Sequence, residues 1–396
     1  MAHPLDGIRV LDLSRVLAGP YCTMTLADLG AEVIKVEQPG SGDDTRRWGP
    51  PWTGGESAYY LSANRNKLGI TVNLKDERGQ GIIRELARQS DVVVENFKVG
   101  ALDRMGLGYA ALSAANPGLI WCSITGYGQD GPYADRAGYD VIAQAESGIM
   151  SVTGEPEGEP MKVGIAVVDI TTGLYASTAI LAALHARGSS GRGQRIDMAL
   201  LASAVAWLAN VGSSYLASGE LPKRYGNAHA NLVPYQTFRA RDRWITAGVG
   251  NDRQFQALCR ILGLEDLPAD PRFTTNPQRV ANRDALIPLI EAAFITRDAD
   301  EWLEQLAAAG IPSGPINTVD RALSHPQVAH RGMVVEVPHA TAGTVRLVGP
   351  PFIFSETPAE VRSAPPLLGE HTDRVLRERL GFSDAEIATL HAEDVV

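Results

Sequence analysis

Apolar and polar positions follow two different periods along the first third of the chain. Residues 8–14 and 31–37 have the apolar pattern of strands, whereas residues 15–30 have helical spacing and end at Gly30, a helix stop. The pattern recurs in three further predicted strands, separated by helical segments, at residues 70–74, 91–97 and 119–128. Strands that alternate with helices form a parallel sheet covered on both faces, so we predict an α/β fold. Ligands then bind beyond the carboxyl ends of the strands.

The rest of the chain changes pattern near residue 225. Before that point, the apolar run VGIAVV predicts a buried strand that meets a long helix at Asp169, with a helix stop at Gly188. After it, a hairpin and several short helices predict a smaller α+β domain over residues 225–325. Residues 1–224 and 326–396 then form the large domain.

One long uncharged stretch lies between Asp197 and Glu220 and could span a bilayer on length alone. It contains Asn210 and four serines, which favours a buried helix of a soluble protein. We therefore expect no membrane association.

Composition narrows the class of protein. The chain has 396 residues, 44% of them hydrophobic and 21% charged, as in an ordinary globular protein. The formal net charge of −10 argues against general nucleic-acid binding, which needs a basic surface. Three cysteines without CxxC spacing suggest neither disulfides nor a zinc site, and charges interrupt the apolar N-terminal run that a signal peptide would need. We expect a cytoplasmic protein.

Two common kinds of site lack their signatures. Glu37 ends the second predicted strand where a ribose-binding acid would lie, but the three-glycine fingerprint of a dinucleotide site is missing. No pair of the eight histidines has metal-ligand spacing, so we expect no metal. His229, in YGNAHANLVPY, is a candidate side chain, although a structural histidine fits the same neighbours.

Asp169 has two interpretations. It precedes a long Ala-rich helix, where Asp is a preferred N-cap that accepts from the free N–H groups of residues 170–172. The same donors would keep a carboxylate nucleophile ionised. Spacing by itself favours the cap.

Basic side chains are concentrated around the first two βαβ units. In an acidic protein this indicates an anionic ligand with several phosphates or carboxylates, although solvated surface charges give the same pattern. The residues are Arg46, Arg47, Arg65, Lys67, Lys75 and Arg104.

Taken together, the sequence resembles the class III CoA-transferases, the CaiB/BaiF group that includes formyl-CoA transferase and the α-methylacyl-CoA racemases. The similarity covers nearly the whole chain, in ordered blocks such as LDGIRVLDLSRVLAGP, NRNKLGITVNLK, VENFKVGALDRMGLGY, AGYDVIAQAESG and PPLLGEHT. Within this family, the chain is most similar to the branch that acts on succinate, glutarate and hydroxymethylglutarate. Three blocks carry this similarity: GDDTRRWGPP, RYGNAHANLVPYQTF and GVGNDRQF. The resemblance implies a Rossmann-like large domain and an interlocked homodimer.

The resemblance also implies covalent catalysis with Asp169 as the nucleophile. Asp169 attacks the acyl-CoA carbonyl to form a mixed anhydride, and the released CoA thiolate returns to give an aspartyl-CoA thioester. A dicarboxylic acid such as glutarate or 3-hydroxy-3-methylglutarate then takes the CoA from succinyl-CoA. Acyl-CoA is a substrate, and no permanently bound cofactor is needed.

The remaining site residues follow from the same resemblance. Tyr139 and Asp140 match a pair beside the reacting thioester. Our candidates for binding the acid are Arg46, Arg47, Trp48 and His229, with the arginines pairing with its distal carboxylate. The expected CoA-binding residues are Val16, Leu17, Ala18, Val72, Asn73, Leu74, Lys75, Asn96, Phe97, Lys98 and Arg104, together with Tyr139 and Asp140.

Leu17 replaces the Gln of formyl-CoA transferases, which disfavours formate and oxalate as substrates.

Two alternative functions stay open. A catalytic His occupies the Tyr139 position in the racemases, and a tyrosine is a poor proton shuttle near neutral pH. An α-methylacyl-CoA racemase is therefore the disfavoured enzymatic alternative. A non-catalytic acyl-CoA-binding protein, with Asp169 only a helix cap, is the other.

Overall fold

The computed structural model describes residues 2–396, and strands alternate with helices through its first half. The strands are β1 Arg9–Asp12, β2 Glu32–Glu37, β3 Trp52–Thr53, β4 Glu56–Ser57, β5 Lys67–Thr71, β6 Val92–Glu95, β7 Ile120–Thr125, β8 Arg195–Ala199, β9 Tyr235–Arg239, β10 Trp244–Gly248, β11 Ser313–Pro315, β12 Val334–His339 and β13 Gly343–Val348. Short 3₁₀ helices cover Asp44–Arg47 and Leu267–Ala269.

The α-helices vary from single turns to one long helix in the middle of the chain. They are α1 Ala18–Asp28, α2 Ala58–Leu61, α3 Glu77–Arg88, α4 Ala101–Arg104, α5 Tyr109–Ala115, α6 Asp140–Glu146, α7 Ile149–Val152, α8 Val167–Ser190, α9 Leu200–Ala206, α10 Ala209–Ser218, α11 Asp252–Leu262, α12 Asn276–Ala281, α13 Arg283–Phe294, α14 Ala299–Ala308, α15 Val319–Leu323, α16 Pro326–His330, α17 Thr372–Leu380 and α18 Asp384–Ala392.

A six-stranded parallel sheet in the order β5-β2-β1-β6-β7-β8 confirms the predicted α/β class. The chain runs outward from β1 through β2 to the edge strand β5, and then returns to place β6 on the other side of β1. Strand order therefore reverses between β1 and β6. At such a point the loops that leave the carboxyl ends diverge and open a crevice for a ligand.

Apolar residues on the two faces of the sheet build two separate cores. One core joins the sheet to α1 and α8 through residues such as Cys22, Leu26 and Ile180. The other joins the sheet to α3 and to the C-terminal helices α17 and α18. Strands β2, β5, β6 and β7 are almost wholly buried, as expected for a parallel sheet, whereas the edge strand β8 is partly exposed in this chain.

The segment before Asp169 differs from its prediction. VGIAVV is not a strand: Ile165 is exposed, and helix α8 already begins at Val167. The helix runs past the predicted stop and ends before Gly191, which adopts the left-handed conformation of a C-cap at φ 67°. The apolar pattern suggested burial of the whole run, but only Val167 and Val168 are buried and Val163 is partly buried against the same core.

Helix α8 is long and apolar enough to cross a membrane by length and composition alone. Its Ala176, Ile180 and Ala183 are buried in the core with α1, and a core helix passes the same test. The uncharged stretch after Asp197 was predicted as a buried helix. It is instead the bent pair α9 and α10, and α10 has no buried residue in this chain.

A second compact unit comprises residues 150–162 and 213–325, and the first comprises residues 2–149, 163–212 and 326–396. The predicted hairpin is present as β9 and β10, which join β11 in an antiparallel sheet. The second unit extends beyond the predicted range of 225–325 because Arg224 donates to the carbonyls of Glu155 and Gly158. Such backbone contacts leave no signature in the sequence.

Gly173 lets α8 approach α1. A Cβ atom at this position would lie 2.6 Å from the carbonyl oxygen of Ala18 and 3.2 Å from the amide nitrogen of Cys22. Both atoms are backbone, so neither helix could accommodate a side chain without moving. Gly173 thereby sets the distance between the start of α8 and the start of α1.

Substituting Gly173→Ala should lower the free energy of unfolding by about 1–3 kcal/mol, because the added methyl forces the two backbones apart. Urea denaturation measures the change. Gly188→Ala is the matched control on the same helix, since nothing lies within 4 Å of its Cβ position. It should stabilise the protein by up to about 1 kcal/mol through helix propensity. Equal effects of the two variants would contradict this interpretation of Gly173.

Candidate active site

A cavity of about 570 Å³ opens at the carboxyl ends of β1, β6 and β7, where the strand order reverses. Its wall contains Asp169 from α8 and eight other predicted site residues, seven of them predicted to bind CoA and one, Trp48, predicted to bind the acid. These are Val16, Leu17, Ala18, Trp48, Asn96, Phe97, Lys98 and Tyr139. The fold thus joins segments that are far apart in the sequence.

A second cavity of about 210 Å³ shares Arg15 and Phe97 with the larger one. The residues that follow β5 line it: Val72, Asn73, Leu74 and Lys75. Arg104 is not among the described residues that line either cavity, although its neighbour Met105 is. The two cavities therefore lie side by side, separated by Arg15 and Phe97.

The turn between β1 and α1 is held by Asn96. The side-chain oxygen of Asn96 accepts from the Arg15 N–H at 3.0 Å, and its amide nitrogen donates to the Arg15 carbonyl at 2.7 Å. This pair joins the segments that follow β1 and β6. Asn96 therefore stabilises the cavity wall, whether or not it also contacts a ligand.

Asp169 is not the cap of its helix. The N-cap is Ala166, and Asp169 is the third residue of α8. The capping carboxylate comes from Asp140, whose Oδ1 accepts from the N–H groups of Val168 at 2.7 Å and Asp169 at 3.1 Å. The spacing argument failed because a residue distant in sequence took the role.

The environment of Asp169 raises its pKa to about 7, first because burial disfavours the charged form and second because Asp140 lies nearby. The prediction that the N–H groups of residues 170–172 keep Asp169 ionised is wrong. Helix α8 already begins at Val167, so the Ile170 N–H donates within the helix to the Ala166 carbonyl at 3.1 Å. The N–H groups at the start of the helix, those of Val168 and Asp169, donate to Asp140 instead. A carboxyl with a pKa near neutrality, in a cavity wall, is typical of a reactive site.

Asp140 is itself held in place by its surroundings. Gly126 and Gly138 touch through their backbones: a Cβ on Gly138 would lie 2.2 Å from the Cα of Gly126. Gln144 donates to Asp140 Oδ2 at 2.5 Å and accepts from the Val163 N–H at 2.8 Å. These contacts fix both the capping carboxylate and the chain that enters α8.

The guanidinium nitrogens of Arg46 all donate to protein groups, which leaves the predicted pairing of Arg46 with a substrate carboxylate without support in this chain. It donates to both carboxylate oxygens of Glu37, at 2.7 and 2.8 Å, and to Glu56 at 2.9 Å. It also donates to the Pro366 carbonyl, and its guanidinium lies 3.7 Å from the ring centroid of Tyr60. Arg46 therefore stabilises the fold, and Glu37 is the ion-pair partner of Arg46 rather than a ribose-binding acid.

Two other members of the basic cluster are likewise structural. Arg65 is buried against Asp28 at 2.5 Å, and Lys67 is buried against Asp12 at 3.0 Å. Neither is free to attract an anionic ligand. Sequence could not separate them from surface cations because burial depends on the tertiary fold.

Arg47 and His229 lie outside the lining of the larger cavity. Arg47 is exposed and forms an ion pair with Asp44 at 3.2 Å. His229 belongs to the second unit, where its Nδ1 accepts from the Asn231 N–H at 3.0 Å and its ring packs against Tyr235. Their contact with a substrate stays a prediction.

Tyr59 and Arg136 were missed by the sequence interpretation. The pKa of Tyr59 is raised to about 12, first by burial and then by the negative charges of Asp169 and Asp140. Arg136 lines the larger cavity, and its guanidinium stacks 3.6 Å from the ring centroid of Tyr133. No motif connects either residue with Asp169, so only the structure identifies them.

No group of three or more metal-ligating side chains occurs within residues 2–396. All three cysteines are buried, and none of them forms a disulfide.

Comparison with known proteins agrees with this geometry. The family model described as "CoA-transferase family III" matches residues 5–372. The succinyl-CoA:glutarate CoA-transferase of Homo sapiens is 48% identical over 99% of this chain and 90% of its own length. The succinate–glutarate CoA-transferase of Agrobacterium fabrum is 47% identical over 95% of each chain.

Solved structures give the same result. The crystal structure of a CaiB/BaiF family protein from Brucella suis has a TM-score of 0.87 and 47% identity, and the match covers 96% of this chain and 100% of that one. The resemblance inferred from the sequence blocks is confirmed. The chain belongs to CoA-transferase family III and is a CoA-transferase.

Proposed function

We propose that this enzyme transfers CoA from succinyl-CoA to glutarate or a similar dicarboxylic acid, through a thioester on Asp169. The observation that carries the proposal is the position of Asp169, a partly buried carboxyl with a raised pKa in the wall of the larger cavity. The named substrates of the relatives from Homo sapiens and Agrobacterium fabrum support the choice of acids.

In the proposed reaction Asp169 attacks the thioester carbonyl of succinyl-CoA, the carbon–sulfur bond breaks, and CoA leaves as the thiolate. The thiolate then attacks the aspartyl carbonyl of the mixed anhydride and displaces succinate. Glutarate attacks the resulting aspartyl-CoA thioester, and the same steps in reverse release glutaryl-CoA and free Asp169. Each step exchanges one acyl bond for another, so no oxidant or reductant is needed.

Water would hydrolyse both the anhydride and the thioester, so the cavity must exclude it. The apolar side chains of Leu17, Ala18, Ile124 and Leu200 line the wall around Asp169. The same walls raise the pKa of the nucleophile by desolvation. Exclusion of water by these walls therefore both protects the intermediate from hydrolysis and raises the pKa of Asp169.

The two adjacent cavities suit the shape of an acyl-CoA. We place the thioester in the larger cavity beside Asp169 and the nucleotide end in the smaller one, against residues 72–75. Arg15, Lys75, Lys98 and Arg136 supply positive charge along this path. The negative total charge of the protein is compatible with this local attraction.

The geometry and the relatives together favour transfer over the two alternatives considered from the sequence. A purely capping role for Asp169 fails because Asp140 is the cap. The relatives named above are CoA-transferases rather than racemases.

We further propose that two chains form an interlocked homodimer. Large apolar side chains exposed on the single chain support an assembly, among them Leu216, Leu221, Val319 and Ile353. A cytoplasmic location stays a prediction.

Asp169→Ala should lower kcat by at least about a thousandfold, because the variant has no carboxylate at this position to form the covalent bond. Mass spectrometry of wild-type protein incubated with succinyl-CoA should detect a covalent adduct on Asp169. Asp130→Asn, at an exposed carboxylate outside the cavity lining, is the control and should retain full activity. Normal turnover by Asp169→Ala, with no adduct on the wild type, would exclude the mechanism.

Activity should rise with pH through about 7, the raised pKa of Asp169. The sign follows because the ionised carboxylate is the nucleophile, and its fraction increases as pH passes the pKa. Asp140→Asn removes the neighbouring negative charge and should shift the midpoint of kcat/KM to lower pH. A flat profile between about pH 5.5 and about pH 8.5 would contradict this role of Asp169.

Arg46 and Arg47 should respond differently to substitution by Gln. Arg47→Gln should raise the KM for glutarate about tenfold and leave the KM for succinyl-CoA unchanged, if Arg47 pairs with the distal carboxylate. Arg46→Gln should instead lower stability by about 3–5 kcal/mol, because Glu37 loses its buried partner. Steady-state kinetics and urea denaturation measure the two effects. An unchanged KM for glutarate in Arg47→Gln would remove Arg47 from the site.

A further inference from the structure

Asp43 connects two segments of the larger cavity wall, although its own side chain has no exposed surface. One segment is the turn after β1, which contributes Val16 and Leu17 to the wall. The other is the 3₁₀ helix Asp44–Arg47, which leads into Trp48. None of the sequence motifs assigns Asp43 a role.

Val16 is the strained element of this arrangement. Its φ angle is 71°, in the left-handed region that a β-branched residue adopts only under constraint. Both carboxylate oxygens of Asp43 accept from the Val16 N–H, each at 3.2 Å. The hydrogen bond therefore holds a residue whose backbone would otherwise tend to leave the left-handed region.

Lys35 fixes the carboxylate that holds Val16. Its Nζ donates to Asp43 at 2.9 Å and to the Ser14 carbonyl at 3.0 Å, and both charged side chains are completely buried. The Lys35–Asp43 pair thus grips the turn at two points, the carbonyl of residue 14 and the N–H of residue 16. Buried ion pairs with additional hydrogen bonds are geometrically rigid, because separating them leaves uncompensated charge.

The second segment is held by the same carboxylate. Asp43 caps the 3₁₀ helix by accepting from the N–H and the hydroxyl of Thr45, at 3.0 and 2.8 Å. Glu37 in turn accepts from the Asp43 N–H at 2.8 Å. A movement of Asp43 would therefore displace Val16 and Trp48 together.

We propose that Asp43, fixed by Lys35, is a positioning residue for CoA transfer: it keeps Val16 in its left-handed conformation and aligns this turn with Trp48 around the substrate. This inference rests on the proposed function, because it takes the larger cavity as the site of the thioester. Asp43 and Lys35 also border the smaller cavity, but neither side chain has accessible surface, so Asp43 acts through the backbone of Val16 rather than through contact with substrate.

The test is a double-mutant cycle between Asp43 and Val16. Asp43→Asn keeps the shape of the side chain but removes the charge that pairs with Lys35. It should lower kcat/KM for transfer by about ten- to a hundredfold, because the turn relaxes away from the reacting geometry. In a Val16→Gly background the same substitution should cost much less, since glycine adopts a positive φ without strain. A merely structural role for Asp43 would give the same loss in both backgrounds, and that result would overturn the proposal.

Asp28→Asn is the control for general destabilisation. It breaks another buried ion pair, to Arg65, outside both cavities. We expect a similar loss of thermal stability with kcat/KM within about twofold of wild type. Loss of activity as large as that of Asp43→Asn would mean that Asp43 acts only through stability.

Thr45→Val is the second variant, to be used if Asp43→Asn does not fold. It removes one hydrogen bond to Asp43 while keeping a side chain of similar shape. It should produce a smaller loss of kcat/KM, and that loss should also be reduced in the Val16→Gly background.

The dissociation constant for CoA, measured by calorimetry on the same variants, separates this proposal from the proposed function. If wild type binds CoA but transfers it to none of the acids, the proposed function fails, while coupling between Asp43 and Val16 in CoA affinity still decides the inference.

Discussion

Two ion pairs buried at the carboxyl end of β1 hold the region on which the rest of the site depends. Asp12 pairs with Lys67, Asp43 pairs with Lys35, and all four side chains are inaccessible to solvent. A buried charge is tolerated only with a partner and with further hydrogen bonds, so separating either pair would leave an uncompensated charge inside the protein. Each carboxylate also accepts from the turn after β1, Asp12 from residue 14 and Asp43 from residue 16. The shape of that turn is therefore tied to the stability of the sheet.

Asp169 has the opposite electrostatic environment. Burial by itself would raise the pKa of Asp43, but attraction to Lys35 and hydrogen bonds lower it overall. Asp169 has no cation to compensate its burial, and its neighbour Asp140 is another carboxylate. The first arrangement favours a permanent charge that maintains geometry, and the second a carboxyl that is costly to ionise and is exposed to the cavity. Functional sites commonly retain such locally unfavourable features.

The sequence interpretation succeeded where local pattern and tertiary structure agree. Alternating strands and helices predicted the parallel sheet, and ordered blocks predicted the family. It failed where a distant residue changed the meaning of a local one. Spacing predicted Asp169 as the helix cap, but Asp140 is the residue that caps α8. The sequence predicted Arg46 as a ligand-binding cation, but its guanidinium donates to Glu37 and Glu56. The run before Asp169 looked buried, yet Ile165 is exposed in this chain.

By itself, the sequence determined the fold class through its hydrophobic periodicity, because that pattern is a property of neighbouring residues. The sequence blocks that resemble class III CoA-transferases gave the family and, with it, the candidate nucleophile. Only the tertiary structure decided which charges face a ligand and which support the scaffold. That division depends on burial and on partners from other segments, such as Lys35 for Asp43 and Asp140 for the start of α8. Desolvation and pairing act through space, so residue type and spacing leave them undetermined.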